Sequence, residues 1–329
     1  MAFSHILGQD PAIALLKKAI QQQRLPSAYL FTGPAHIGKY KTVLSLTQTI
    51  NCIQQGDDAC LCCDACLQIT HQNFPDFFVI KPEGQFIKIS QIKESLKWLH
   101  LRPAYGKYRI LAIEGAEKMN KESANAFLKT LEEPPSQTLI ILLAETPQQL
   151  LETIVSRCQI IRFQLLQKKY VEQILKEYPK LSPAQLEFLT GFSMGCIRED
   201  WIEKIDALQA MRDQVIDLLV TLSSGQMGKI FNVIEGWSSS KDKEWRYMLD
   251  FLEYWFRDLA WVWYGLPPQQ VFNQGRMEQL QQCVPHFPLD CVLKNYQKIL
   301  QTREQIRMNA YVPLALDALW LHFKQNLVM

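Results

Sequence analysis

The sequence lacks any strong excess of charge. It contains 35 Lys and Arg residues against 33 Asp and Glu residues, a formal net charge of +2 over 329 residues. A protein that binds nucleic acid or an acidic membrane over its whole surface normally carries a clear basic excess. The composition therefore excludes a generally basic binding protein, and any basic contact surface has to be local.

Long hydrophobic runs are missing as well. The longest, at residues 139–144 and 259–264, fall far short of the ~20 residues that cross a bilayer as a helix. The first residues, MAFSH, do not pair a basic stretch with an apolar one as a secretion signal does. Hydrophobic residues nevertheless make up 48% of the chain, which is typical of folded proteins. We therefore expect a cytoplasmic, folded protein without membrane segments.

Buried strands and amphipathic helices alternate over the first half of the chain. Apolar runs of strand length occur at residues 28–32, 77–80, 108–113, 138–144 and 159–163. Strands that alternate with helices indicate a parallel sheet covered on both faces. One of the intervening helices is predicted over about residues 147–155. Beyond the last strand the periodicity is helical only, which predicts an all-α remainder.

The length argues for more than one domain, because a single hydrophobic core stops growing near ~250–300 residues. We expect three parts. They are an α/β domain at residues 1–165, a small helical domain at 166–208 and a helical domain at 209–329.

A glycine-rich loop follows the first predicted strand and precedes a helix, with the sequence GPAHIGKY at residues 33–40. In a phosphate-binding loop, backbone N–H groups hold the phosphates, a lysine reaches the β and γ phosphates, and a Ser or Thr binds Mg²⁺. Gly33, Gly38 and Lys39 fit this pattern, but Tyr40 replaces the Ser or Thr. Weak ATP or ADP binding and no nucleotide binding both remain open, and hydrolysis is not expected.

The third predicted strand ends without the acidic pair that hydrolysis requires. In P-loop ATPases an Asp at this point helps to hold Mg²⁺. In the related motor proteins a Glu directly after it orients the attacking water. Here Glu114 is followed by Gly115, and a glycine cannot orient or deprotonate water. Defects in two separate motifs indicate an ATPase fold that has lost its own catalysis.

Cysteine is abundant, with nine residues. Four of them have the spacing C-x7-C-x2-C-x2-C: Cys52, Cys60, Cys63 and Cys66. Four thiolates satisfy a tetrahedral zinc ion and leave no position for water, so this spacing predicts a structural zinc site at residues 52–66. By spacing alone Cys62 is an alternative to Cys63, and His71 is an alternative to any one ligand. A run of buried reduced cysteines is the competing interpretation.

Several motifs together resemble the bacterial clamp-loader family of AAA+ proteins. The sequence NAFLKTLEEPP at residues 125–135 is similar to the family signature NALLKTLEEPP, and SRC at residues 156–158 matches its SRC motif. GQ at residues 8–9, AYLFTG at residues 28–33 and the four-cysteine insertion also match. Within that family the pattern looks like a delta-prime subunit of DNA polymerase III.

The resemblance implies a AAA+ module followed by a lid and a C-terminal helical collar domain that forms oligomers. It implies a subunit without ATPase activity of its own, whose SRC arginine, Arg157, points at ATP held by a neighbouring subunit. Taken alone, an arginine at a helix end only complements the helix dipole. The implied partners are tau/gamma-like ATPase and delta-like subunits, primed DNA within the assembly and, indirectly, the sliding clamp.

Two other functions compete with this interpretation. An ATP-hydrolysing motor subunit is favoured by Gly33, Gly38 and Lys39 and opposed by Tyr40 and Gly115. Arg198 lies where motor relatives place a nucleotide-sensing arginine, but a solvated helix arginine is the favoured interpretation of that residue. A zinc-stabilised DNA-binding adaptor would need a basic face that the net charge does not supply. The tryptophans of the C-terminal half are expected in a helical core or an interface rather than in a base-stacking platform.

Overall fold

The structure is a computed structural model that describes residues 2–54, 56–222, 227–240, 243–267 and 271–327. The chain packs as two compact units. The first comprises Met1–Leu181 and Ser193–Arg198, and the second comprises Ser182–Phe192 and Glu199–Met329. The three-part division at residues 165 and 208 stays a prediction.

The first unit contains a parallel sheet of five strands, in the order β2-β3-β4-β1-β5. The strands are β1 (Ala28–Thr32), β2 (Phe77–Ile80), β3 (Arg109–Glu114), β4 (Thr138–Ala144) and β5 (Gln159–Arg162). Leu30 on β1 lies opposite Leu142 on the central strand β4 and Ile160 on the edge strand β5. Strands β1 and β4 are buried along their whole length, as expected when both faces of a parallel sheet are covered.

Among the described residues of this unit, seven α-helices accompany the sheet: α1 (Asp10–Gln21), α2 (Lys39–Asn51), α3 (Asp64–Thr70), α4 (Ile89–Leu99), α5 (Lys121–Glu132), α6 (Glu152–Val155) and α7 (Lys168–Leu175). Side chains alternate between the two faces of a strand. Tyr29 and Phe31 accordingly pack in one apolar core with residues of α1 and α2. Leu30 packs in the other core, with residues of α4 and α5. The predicted two-sided parallel sheet is confirmed.

The single helix predicted over residues 147–155 is wrong. A 3-10 turn over Pro147–Gln149 is followed by the short helix α6. Leu150 and Leu151 between them have extended backbone, and the Leu150 N–H closes the 3-10 turn by donating to the Pro147 carbonyl at 3.0 Å. The apolar spacing is helical, but these two extended residues interrupt the helix.

The second unit is helical in its described residues. Its helices are α8 (Pro183–Phe192), α9 (Glu199–Glu203), α10 (Ile205–Thr221), α11 (Met227–Ser239), α12 (Trp245–Trp263), α13 (Met277–Cys283), α14 (Leu289–Arg307) and α15 (Val312–Gln325). Helix α12 packs against α10 and α14. Trp255 and Trp320 are fully buried, in agreement with the core interpretation. Across the described ranges, no helix has the length and apolar character that crossing a membrane requires.

Candidate functional site

Two glycines shape the loop between β1 and α2. Gly33 has a φ of 142°, and a Cβ there would lie 2.5 Å from the Phe163 carbonyl oxygen. Its N–H donates to the Glu145 carbonyl at 2.9 Å. Gly38 has a φ of 97° and lies directly before α2. A side chain is disfavoured at both positions, so the backbone itself requires these glycines.

Lys39 is satisfied within its own loop. Its ammonium group donates to the carbonyl oxygens of Gly33 and Pro34, the second at 2.6 Å. Burial lowers the pKa of Lys39, and the carboxylates of Glu145 and Glu117 oppose that shift. The hydrogen bonds of the Lys39 side chain therefore go to the backbone of its own loop.

Tyr40 and Glu114 occupy the two positions that would hold Mg²⁺ in a working ATPase. The Tyr40 ring packs against the apolar core, and burial, followed by the charge of Glu114, raises the pKa of its phenol. The Lys81 ammonium lies 3.3 Å from a Glu114 carboxylate oxygen and 5.2 Å from the centre of the Tyr40 ring. A neutral phenol and a carboxylate already paired with a lysine are a poor pair of magnesium ligands.

Gly115 has left-handed backbone, with a φ of 63°. It begins a 3-10 turn over Ala116–Lys118, in which the Lys118 N–H donates to the Gly115 carbonyl at 2.8 Å. Residues with a Cβ avoid this conformation. Position 115 therefore lacks the side chain of a water-orienting glutamate, and its backbone conformation also disfavours a glutamate there.

Arg157 lies on the surface after α6, where the Arg157 N–H donates to the Ile154 carbonyl at 3.1 Å. Its side chain is 35% exposed. Nη1 donates to the Thr153 carbonyl at 2.9 Å and contacts the Ser156 hydroxyl at 3.4 Å. Nη2 donates to Glu132 Oε1 at 2.6 Å. The guanidinium group is thus held at the surface by three contacts.

The four predicted metal ligands come together, with all four Sγ atoms within 4.8 Å of one another. Cys52 and Cys66 are buried, whereas Cys60 and Cys63 are partly buried. Cys62 is exposed and lies outside this group. The geometry therefore selects Cys63 over Cys62. His71 is likewise not part of the group found among the described residues.

The chemistry of these thiols fits a zinc ion. Four sulfurs at ~2.3 Å from a tetrahedral zinc lie about 3.8 Å apart, and the sulfurs of Cys60 and Cys66 are 3.9 Å apart. The backbone N–H groups of Cys62 and Cys63 lower the pKa of Cys60 to about 6. These donors favour the thiolate form of Cys60, which is the form that binds metal. Burial raises the pKa of Cys66, so a metal would displace its proton.

Asp58 connects the cysteine segment to the N-terminus, a role that the sequence reasoning missed. Its carboxylate accepts from the N–H groups of Phe3 at 2.8 Å and Ser4 at 3.0 Å, and from that of Ala59 at 2.8 Å. Burial would raise the pKa of Asp58, but these donors and Lys17 hold it below its ordinary value. The acidic pair Asp57-Asp58 is visible in the sequence, but the contact of Asp58 with the distant N–H groups of Phe3 and Ser4 is not.

Gln9 belongs to the GQ motif noted in the sequence, but its structural role was not predicted. It is buried, and its amide donates to the carbonyls of Ile37 at 3.1 Å and Gln164 at 2.7 Å. Gln9 thereby ties the loop before α2 to the segment after β5. The Ile197 N–H donates to the His36 carbonyl at 3.0 Å, which places the segment that carries Arg198 against the same loop.

A parallel sheet in the order 2-3-4-1-5, a glycine-rich loop after β1 and a helical remainder give the architecture of a AAA+ protein. A family model described as "DNA polymerase III, delta subunit" matches residues 8–167, and one described as "DNA polymerase III, delta subunit, C terminal" matches residues 191–316. The chain belongs to the family of DNA polymerase III delta-prime subunits, as its motifs predict.

The chain is also similar to individual known proteins. The chain is 28% identical to DNA polymerase III subunit delta' of Bacillus subtilis, over 97% of each protein. It is 30% identical to subunit tau/gamma of Haemophilus influenzae over 70% of this chain, and it spans only 34% of that relative. A solved gamma-subunit-related protein of Thermotoga maritima is 18% identical, with a TM-score of 0.48, over 96% of this chain and 99% of its own.

Proposed function

We propose that this chain is the non-hydrolysing subunit of a clamp loader and supplies Arg157 to ATP bound by a neighbouring subunit. Its partners are a tau/gamma-like ATPase and a delta-like subunit, and the assembly places a sliding clamp on primed DNA in the cytoplasm. Membership in the delta-prime family supports the role in replication. Contact with the clamp is indirect, and any contact with DNA arises within the assembly.

One contrast carries the proposal. The chain's own nucleotide site is compromised at Tyr40, at Gly115 and at Lys39, whose ammonium hydrogen-bonds to its own loop. Arg157, by comparison, is held at the surface by named contacts. A subunit that does not hydrolyse ATP itself but presents an ordered arginine is suited to act on the nucleotide of another subunit.

The chemistry of arginine suits that role. A guanidinium group is planar and permanently charged, so it stabilises the charge that builds up on a transferring γ-phosphoryl group. Arginines that act in trans accelerate phosphoryl transfer by ~10³–10⁵ in other systems.

Zinc has a structural role in this proposal. Bound by Cys52, Cys60, Cys63 and Cys66, it would cross-link the end of α2 to α3 with no position left for water. The neighbouring Asp58 then ties the same segment to the N-terminal turn. The metal would stabilise this part of the AAA+ unit and take no part in ATP chemistry.

The test is Arg157→Ala in a loader reconstituted from the subunits of one organism. At the ATP site that Arg157 serves, we expect kcat to fall by ~10³-fold or more while the subunits still co-purify. Arg157→Lys keeps the charge but loses the planar fork, so most of the loss should remain. Arg162→Ala, which removes another exposed arginine, is the matched control and should turn over ATP normally. Normal turnover by Arg157→Ala would refute the role in trans.

The second candidate is a motor subunit that hydrolyses ATP itself, and the intact Gly33, Gly38 and Lys39 favour it. The two functions differ in the isolated chain. A motor binds Mg-ATP in a manner that depends on Lys39, and it loses binding in Lys39→Ala. Steady hydrolysis by the isolated chain that is abolished in Lys39→Ala would replace the proposed function with this one.

A further inference from the structure

Glu132 forms an ion pair with Arg157 across 25 residues of sequence. Nη2 of Arg157 lies 2.6 Å from Oε1 of Glu132, and both side chains are at the surface. Glu132 is the last residue of α5, and Arg157 follows the end of α6. The end of one helix therefore holds the arginine that comes just after another helix.

The position of Glu132 has no explanation in the stability of its own helix. The C-terminus of a helix carries partial negative charge, which disfavours an acidic residue there. The side chain is exposed, so it does not contribute to the core either. Its contact with Arg157 is the interaction that accounts for a glutamate at this point.

The contacts also leave part of the guanidinium group available. Arginine has five N–H donors. Thr153 and Ser156 engage Nη1, and Glu132 engages Nη2. Within the described residues, this leaves the N–H of Nε and one N–H of Nη2 for an oxygen anion such as a phosphoryl oxygen.

We propose that Glu132 is a positioning residue for Arg157. An unrestrained arginine loses considerable side-chain conformational entropy when it binds a ligand. Glu132, together with the Thr153 carbonyl, fixes the guanidinium before it meets the neighbour's ATP, so less freedom is lost. This inference rests on the proposed function of Arg157 in trans.

The experiment uses the reconstituted loader with Glu132→Ala, alone and combined with Arg157→Ala. The single change should lower kcat about two- to fivefold, the range expected from loss of an exposed ion pair, with little change in KM. In the Arg157→Ala background it should have no further effect, because there is no guanidinium left to position. Glu132→Gln keeps the acceptor oxygen and should lose less than Glu132→Ala.

Glu133→Ala is the matched control, since it removes the adjacent exposed glutamate and should leave kcat unchanged. A loss of kcat that persists in the Arg157→Ala background would overturn the proposal in favour of a structural role. A faster loader with Glu132→Ala would also overturn it, because Glu132 would then restrain the arginine. If Arg157→Ala itself has no effect, the proposed function fails. If only Glu132→Ala has none, this inference alone fails.

Discussion

The ammonium group of Lys39 donates a hydrogen bond of 2.6 Å to the carbonyl oxygen of Pro34, five residues earlier in the same loop. A second hydrogen bond goes to the Gly33 carbonyl. The charge that a phosphate loop directs at β and γ phosphates is here directed at the loop itself. ATP would have to replace both hydrogen bonds before Lys39 reached a phosphate.

This arrangement predicts that Mg²⁺ does not strengthen ATP binding to the isolated chain. Tyr40 supplies no short hydroxyl arm, and Glu114 is paired with Lys81. The measurement is calorimetric titration with ATP, with and without Mg²⁺. Tyr40→Phe should behave like the natural chain, whereas Tyr40→Thr should gain affinity with Mg²⁺. Magnesium-dependent binding by the natural chain would contradict the prediction.

Gly115→Glu should not restore hydrolysis, and it should destabilise the protein by about 1–2 kcal/mol because of its left-handed backbone. Gly115→Ala should cost a similar amount, which shows that the backbone and not the charge is responsible. Gly236→Ala is the control, since it lies within α11 with open space around it and should stabilise by about 0.5–1 kcal/mol. Chemical denaturation measures all three. ATP hydrolysis by Gly115→Glu alone would be incompatible with this account.

Much of the fold was predictable because its signals are local. The strands β1 and β4 are continuous apolar runs, and their order along the chain alternates with helical periodicity. The convergence of four cysteines was predictable because their short spacing restricts which thiols can come together. The choice between Cys62 and Cys63 was not, since it depends on which side chain turns inward.

The remaining features depend on contacts between distant residues. Glu132 and Arg157 are 25 residues apart, and Gln9 and Gln164 are 155 residues apart. No periodicity or spacing rule connects such pairs. The prediction of one helix around Leu150 failed for the opposite reason. The local sequence pattern is helical, but the backbone of Leu150 and Leu151 is extended.

The cysteine cluster predicts one zinc ion per chain. Cys63→Ser should remove the metal, because it eliminates one of the four convergent sulfurs. Cys62→Ser changes the adjacent exposed thiol and should retain the metal. Elemental analysis of the purified variants gives the stoichiometry. Loss of the metal from both variants, or from neither, would show that the ligand set is different.

Removal of the metal should also loosen the N-terminus. The N–H groups of Phe3 and Ser4 depend on Asp58, which lies inside the cysteine segment. In the zinc-free protein we expect faster amide exchange at these two residues, while the amides of β4 stay protected. Unchanged exchange at Phe3 and Ser4 after chelation would mean that the segment holds its shape without metal.

Asp76 and Arg109 form a buried ion pair at 3.1 Å. The Asp76 carboxylate also accepts from the N–H groups of residues 104–106 at 2.7–2.8 Å. Asp76→Asn should destabilise the protein by about 3–5 kcal/mol, because it leaves a buried guanidinium without its counter-charge. Asp57→Asn changes an exposed acid and should have little effect. Chemical denaturation compares the two. Equal unfolding free energies of the natural chain and Asp76→Asn would show that the ion pair between Asp76 and Arg109 is dispensable.

The same pair predicts how this stability difference depends on pH. Burial alone would raise the pKa of Asp76, but the three N–H groups and Arg109 hold it below its usual value of 3.8. A carboxyl whose pKa is lower in the folded state binds fewer protons there than in the unfolded chain, so its contribution grows with pH. It is fully present above about pH 5 and is lost as the pH falls through the unfolded and then the folded pKa.

The gap in unfolding free energy between the natural chain and Asp76→Asn should therefore narrow between pH 5 and pH 3. Asp58 titrates in both proteins, so its effect cancels, and a gap that stays constant over this range would rule out an ionised Asp76 as the source of the stability.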